Sequence, residues 1–310
     1  MVTLDVPHVA VLLCTYHGER YLPEQLDSLL AQDYPNFSVW VSDDSEDQET
    51  RSIVERYKTK KPGLIQAIRK GPGKGSSENF LALLASEEIQ ADYFAFCDQD
   101  DVWNTDKLSR AVAALFVQNQ ETPLLYCSRV SLIDQDGSFL GLSPLFRKPP
   151  SFANALVQSL AGGNTMVLNR AARELIKTAR RGDVVVHDWW VYLLVTGAGG
   201  LVIYDPKPTL LYRQHSQNVI GCDQSFLARL SRLRALLGRQ HQRWHDINVR
   251  ALDENVESLT PENRELLAEF HACRNGGLVT RLRKVFGFPF CRQTWMGTCS
   301  LYLAFLLKRL

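Results

Sequence analysis

The sequence predicts an α/β protein: a mostly parallel sheet with helices on both faces, followed by a helical C-terminal extension. Three observations carry this reading. Short apolar runs rich in β-branched residues alternate with stretches of helical periodicity over roughly the first 120 residues. Those runs end in polar or acidic residues. After about Gly221 the strand pattern stops and leucines recur at helical spacing.

His8–Cys14 is the first strand and ends at Thr15 and Tyr16. Leu22, Leu26, Leu29 and Leu30 then share a helical face, which Tyr34-Pro35-Asn36 closes. Phe37–Ser42 is the second strand and runs into Asp43-Asp44. Leu64–Ile68 is a weaker third strand, Gly71–Gly75 a loop, and Ser76–Glu88 a helix. Tyr93–Cys97 is the fourth strand and ends in Asp98-Gln99-Asp100-Asp101. Asn104 or Thr105 can cap the next helix, whose apolar face is Leu108, Val112 and Leu115. The alternation then stops. Leu124–Ile133 and Phe139–Leu142 read as an antiparallel hairpin around Asp136-Gly137. Gly162-Gly163-Asn164 opens a strand through Leu168, and Leu201–Tyr204 and Thr209–Tyr212 are short strands. In the extension, Leu227, Leu230, Leu233 and Leu237 share a face, Thr260-Pro261 starts a helix and Gly276-Gly277 stops it.

The composition is that of a globular protein, with 45% hydrophobic and 22% charged residues, so disorder is excluded as the default. Seven widely spaced cysteines without a CxxC pair argue against a disulfide framework or a zinc site and suit a reducing compartment. No secretory signal or membrane-spanning run is read from the sequence. The net charge of +1 conceals an asymmetry: residues 225–310 carry a surplus of seven positive charges and the remainder is acidic by six. The acidic front and the absence of a known nucleic-acid module exclude nucleic acid as a partner.

In an open parallel sheet, ligands sit beyond the carboxyl ends of the strands. Thr15, Tyr16, Asp43, Asp44 and Asp98–Asp101 all fall there, so three separate segments converge on one rim. Carboxylates as close as Asp98, Asp100 and Asp101 repel unless a cation sits among them. Mg²⁺ or Mn²⁺, which takes one or two carboxylates plus substrate phosphates, answers that need. A solvated acidic loop is the rival reading, and placement at a strand end favours the metal. Asp43-Asp44 can accept from a base N–H or from ribose hydroxyls, or can simply make a turn. His187-Asp188-Trp189-Trp190 offers a carboxylate as general base, or a buried acid at a helix start.

These segments together resemble the inverting glycosyltransferase family 2 with its GT-A fold, especially its rhamnosyltransferase-like members. The matching runs are Val9-Ala-Val-Leu-Leu-Cys-Thr-Tyr16, Val41-Ser-Asp-Asp-Ser45, Asn79-Phe80, Phe96-Cys-Asp-Gln-Asp-Asp-Val-Trp103 with Asp106-Lys-Leu108, Gly162-Gly-Asn164, His187-Asp-Trp-Trp190 and Tyr212-Arg-Gln-His-Ser-Gln-Asn-Val219, in order across about residues 8–220. The resemblance implies a GT-A catalytic domain over 1–221, with a nucleotide-binding half at about 1–120 and an acceptor half at about 121–221. The helical extension spans 222–310. It also implies roles. Thr15 and Tyr16 line the base pocket, Asp44 binds the base with Asp43 in support, and Arg69 meets base or phosphates. Asp98 holds the ribose, Asp100 ligates the metal, His215 ligates the metal or a phosphate, and Asp101 backs the metal site or touches the sugar. Arg213 and Asn218 lie near the donor and Asp188 is the catalytic base. Gly163 and Asn164 let an acceptor approach the backbone closely or simply make a turn, and Trp189 and Trp190 stack on acceptor sugar rings or pack in the core.

The expected reaction is inverting transfer of a sugar, L-rhamnose from dTDP-L-rhamnose first and a sugar from a UDP-sugar next. The expected acceptor is a bacterial surface polysaccharide, lipopolysaccharide core or lipid-linked glycan. The tail residues Arg281, Arg283, Lys284, Arg292, Lys308 and Arg309 flank apolar runs, Val285–Phe290 and Trp295–Leu307. That pattern suits peripheral contact with the inner face of the plasma membrane, or a helical subdomain packed on the catalytic core. Two rivals stand beside this expectation. A sugar nucleotidyltransferase would open with a Gly-rich, basic segment where Cys14-Thr15-Tyr16-His17-Gly18 stands. An inactive nucleotide-sugar-binding scaffold would not need both Asp100 and Asp188.

Overall fold

The computed structural model describes residues 6–180, 182–215, 239–284 and 287–309. They divide into two compact units. One comprises the chain up to Leu145, Ala161–Thr178 and the segment from Leu201; the other comprises Phe146–Leu160, Ala179–Gly200 and the described residues after 238.

The first unit is built on β1 (Val9–Thr15), β2 (Phe37–Asp43), β3 (Ile65–Lys70), β4 (Tyr93–Cys97) and β6 (Leu124–Ser128), together with β9 (Val167–Asn169) and β10 (Leu201–Asp205). These form one sheet in the order β10-β6-β9-β4-β1-β2-β3. Every pairing is parallel except the two made by β9. β1 and β4 are buried along their whole length, as parallel strands covered on both faces must be. The helices here are α1 (Leu22–Leu30), α2 (Glu49–Lys60), α3 (Ser76–Leu84), α4 (Lys107–Phe116) and α6 (Arg170–Thr178).

Strand order reverses between β1 and β4, and the register there sets the site. Thr15 lies opposite Asp43, Asp43 opposite Lys70, and Leu13 opposite Cys97. The polar residues that follow these strands therefore emerge at one edge.

Two local expectations need correction. Leu124–Ile133 is not one arm of a hairpin. Its first half, fully buried, joins the main sheet as β6, and only β7 (Ser131–Ile133) turns back against β8 (Phe139–Leu142). With β5 (Val102–Trp103) and β11 (Leu210–Arg213) this makes a second sheet, β5-β11-β7-β8. The N-cap of α4 is Asp106 rather than Asn104 or Thr105. Asn104 is instead tied to the strand region beside it, donating from its amide to the Pro208 carbonyl.

The second unit holds α5 (Phe152–Ala155), α7 (His187–Gly197), α8 (Arg239–Glu254), α9 (Pro261–Asn275), α10 (Leu278–Lys284) and α11 (Trp295–Leu306). As the sequence predicts, Thr260 caps α9, accepting from the Asn263 amide, with Pro261 at the first position and Gly276 at the end. An aromatic cluster of Phe270, Phe288, Phe290 and Phe305 fastens these helices, with ring centroids 4.5–5.1 Å apart. The expected helical face of Leu227–Leu237 lies outside the described residues.

Candidate active site

At the β2 tip, the Asp43 carboxylate is buried and turned inward. Its Oδ1 accepts from Thr15 Oγ1 at 2.8 Å, Ser45 Oγ at 2.7 Å and Ser45 N at 3.2 Å. Asp44 is half-buried and accepts from the Gly73 amide at 2.9 Å. Gly71 makes this placement possible: a Cβ there would lie 2.1 Å from Asp44 Oδ1. Asn79 completes the corner by donating to the Ser42 carbonyl. Tyr16 carries its ring on the surface, 60% exposed. Its backbone is gripped by the Gln99 side chain, which accepts from Tyr16 N at 2.8 Å and donates to Tyr16 O at 2.9 Å. A cleft of about 260 Å³ opens beside the β3 end, lined by Ser42, Arg69, Lys70, Gly71, Pro72 and Leu83 among others. Arg69 itself is paired with Glu88 and Ser86 and lies over the Trp40 ring.

At the β4 tip the acids diverge. Asp101 is wholly buried and accepts from Asn164 Nδ2 at 2.6 Å and from the Arg213 amide at 3.4 Å. Burial, with Asp100 and Asp98 beside it, pushes its carboxyl well above the usual range. Lys107, also fully buried, donates to the Asn164 carbonyl at 2.8 Å and sits 4.4 Å over the Trp103 ring. Burial pulls its ammonium down to about 8 against the pull of the acids nearby. Asp100 keeps part of its side chain exposed, and its Oδ2 lies 2.7 Å from His215 Nε2. The His215 ring stacks on Tyr21. Arg213 is buried, donates to the Asp100 and Gln135 carbonyls, pairs with Glu24 and covers the Tyr21 ring.

In the second unit, Asp188 is half-buried in the first turn of α7, where a carboxylate gains from the helix dipole. Burial lowers the preceding His187 imidazole to about 3, which keeps it neutral. Trp189 donates from its indole N–H to the Ala155 carbonyl at 2.7 Å, and Trp190 is almost wholly enclosed.

Residues 10–139 match the family model for glycosyl transferase family 2. That segment has the sequence of a family 2 glycosyltransferase domain. The dTDP-rhamnosyl transferase RfbG of Shigella flexneri is 29% identical over 245 residues, 75% of this chain and 80% of that protein. Among solved structures, the mannosyltransferase PcManGT of Pyrobaculum calidifontis, in complex with GDP-Man and Mn²⁺, superposes with a TM-score of 0.53 at 18% identity. It covers 98% of this chain and 86% of its own. Residues 1–349 of TarS from S. aureus, in complex with UDP-GlcNAc, give 0.54 at 16% identity, covering 96% and 90%. These likenesses show the GT-A fold, and the chain is a glycosyltransferase enzyme with a rhamnosyltransferase relative.

The glycosyltransferase brings Thr15, Tyr16, Asp43, Asp44, Asp98, Asp100 and His215 to one edge of its sheet. Several other expected contacts take different work. Asp101 and Asn164 hold each other beneath that edge, and Arg213 is spent on Glu24 and two carbonyls. Gly163 is buried in the short turn Gly163–Thr165. Trp189 and Trp190 are core residues of the second unit, so neither ring is open for stacking on a sugar. Asn218 lies outside the described residues. Lys107, Gln99 and Gly71 were given no task by the sequence. Lys107 was findable, because it falls on the same face of α4 as Leu108, Ala111, Val112 and Leu115.

The Asp100–His215 pair fits a divalent ion. Its two donor atoms are 2.7 Å apart, and neighbouring ligands of an octahedral Mg²⁺-type ion at 2.0–2.1 Å are roughly 3 Å apart. A carboxylate oxygen and one imidazole would hold such an ion together with water or phosphate oxygens. Among the described residues, three side chains of metal-ligating type whose donor atoms cluster are His17, Glu19 and Asp47, at the surface near Tyr16. There His17 pairs with Asp47 at 2.9 Å and Glu19 accepts from Thr50.

Proposed function

We propose that this glycosyltransferase moves L-rhamnose from dTDP-L-rhamnose onto a growing bacterial surface polysaccharide or lipid-linked glycan, with inversion and with Mg²⁺ or Mn²⁺. The observation that supports it best is the convergence of two acid-tipped strands, β2 and β4, which flank β1 and end at one edge of the sheet. Asp44 stands ready to accept from the base, and Asp100 with His215 stands ready to hold an ion. Thr15 and Ser45 fix Asp43, which fixes the β2 tip. The exposed Tyr16 ring offers a stacking face to the base.

Asp100 and His215 would hold the divalent ion, which would supply positive charge where the departing diphosphate gathers negative charge. Asp188 acts as the base that takes the proton of the acceptor hydroxyl as that oxygen attacks the anomeric carbon. One base without a carboxylate nucleophile means a single displacement and hence inversion. The donor assignment rests on the dTDP-rhamnosyl transferase relative; a UDP-sugar is the alternative donor.

A thermal-shift screen of dTDP-rhamnose, UDP-GlcNAc and GDP-mannose, each with Mn²⁺ or with EDTA, tests the reading. The true donor, far above its Kd, raises stability by roughly 2–4 kcal/mol with the metal present. Stabilisation by no nucleotide sugar sinks the donor reading. Equal stabilisation in EDTA sinks the metal.

A further inference from the structure

We infer that α10 and α11 form a landing face for an anionic bilayer. The inference is independent of the donor reading, because it concerns a surface of the second unit alone. α11 contains no charged residue, and a helix apolar all round is normally covered on all sides. This one is not. Leu301, Ala304 and Phe305 pack inward, whereas Trp295 is 78% exposed, Met296 69%, Leu307 52% and Leu303 45%. α10 adds Val279 and Leu282, both more than half exposed.

Charge decides what such a face meets. From residue 270 to the end the chain has seven Lys and Arg and no Asp or Glu. Three of the seven are used internally. Arg274 pairs with Asp246, Arg281 donates to the Phe305 and Leu306 carbonyls at the end of α11, and the half-buried Arg292 donates to the Val157 carbonyl. Arg283, Lys308 and Arg309 are exposed. The surface thus offers a Trp at one end of an apolar row and a Lys-Arg pair at the other, and the stretch of chain that builds it contributes no acid to repel a phosphate. That is the pattern of a helix lying in a membrane interface above anionic headgroups. No described helix is long and apolar enough to cross a membrane. At 12 residues α11 is about 18 Å long, against a hydrocarbon core of about 30 Å.

The test is flotation of the full chain with vesicles of phosphatidylcholine alone or enriched in phosphatidylglycerol, at low and high salt. The wild type is expected to float with the anionic vesicles and to be released in part by salt. The double variant K308Q/R309Q should lose affinity roughly fivefold for each charge removed. The double variant W295S/M296S should lose the binding that survives high salt. Both variants change exposed side chains, so thermal midpoint and donor hydrolysis should match the wild type. Equal binding to both vesicle types, or unchanged binding by both variants, overturns the inference. So does a wild-type dimer, seen by light scattering, that W295S/M296S turns into a monomer, because the row is then a seam between two copies.

Discussion

The β2 and β4 tips follow one plan with different charge. At each, neighbouring acids divide the work: Asp43 and Asp101 turn inward, while Asp44 and Asp100 remain at the edge. The hydrogen bonds to Asp43 come from neutral groups of Thr15 and Ser45. Around Asp101 and Asp100 stand Lys107 and the Arg213 guanidinium, reached through Asn164 and a backbone carbonyl. Neutral donors leave a carboxylate free to accept from another neutral donor, such as a base N–H. A tip with cations behind it can carry several acids at once and present them to one more cation in front.

Four perturbations break or sharpen this contrast. The largest effect is expected from Asp100→Ala, which should lower metal-stimulated turnover by on the order of 10²–10³. Steady-state rates across a Mn²⁺ titration check it, and a variant as active as the wild type at saturating metal would put the ion elsewhere. Next comes Lys107. Its native ammonium titrates near 8, whereas in the unfolded chain it titrates near its ordinary value. Between those values the unfolded chain holds a proton that the native one lacks, so stability rises with pH by up to about 3 kcal/mol. In urea unfolding, wild type should gain on Lys107→Met between pH 8 and 10. A flat difference would mean that this lysine is not carrying the strain of burial.

Gly71→Ala should weaken donor binding roughly 10–100-fold by displacing Asp44, and should leave Mn²⁺ affinity unchanged. Calorimetry with each ligand separates the two effects, and a parallel loss of metal affinity would show that the tips are not independent. The smallest effect belongs to Thr15→Val, which removes one of three donors to Asp43 and should cost about 1 kcal/mol of unfolding free energy in the same urea experiment.

The strand tips were legible because strand and acid are adjacent in the sequence: apolar runs ending at Thr15, Asp43 and Asp98 already imply a shared edge. The supports were not, because they are long-range. Asp101 meets Asn164 across 63 residues and Asp100 meets His215 across 115. No local pattern says which of three neighbouring acids turns inward. Nor does local pattern say that Trp189 and Trp190 are enclosed, since an apolar helix start looks the same whether it faces a ligand or a core. The break between β6 and β7 was hidden for the same reason, as a continuous apolar run does not announce that its halves serve different sheets.

Gln99 has a consequence beyond the donor site. The β1–β4 ladder ends at Leu13 and Cys97, yet two positions on, one side-chain amide both donates to and accepts from the Tyr16 backbone. A primary amide is the same functional group as a peptide unit, so this side chain acts as a further rung after its own strand has turned away. It lends the loop the stiffness of a sheet without requiring the loop to be one. Grafting another enzyme's loop here while neglecting position 99 would amount to cutting a backbone hydrogen-bond pair, with disorder spreading into Tyr16 and its neighbours.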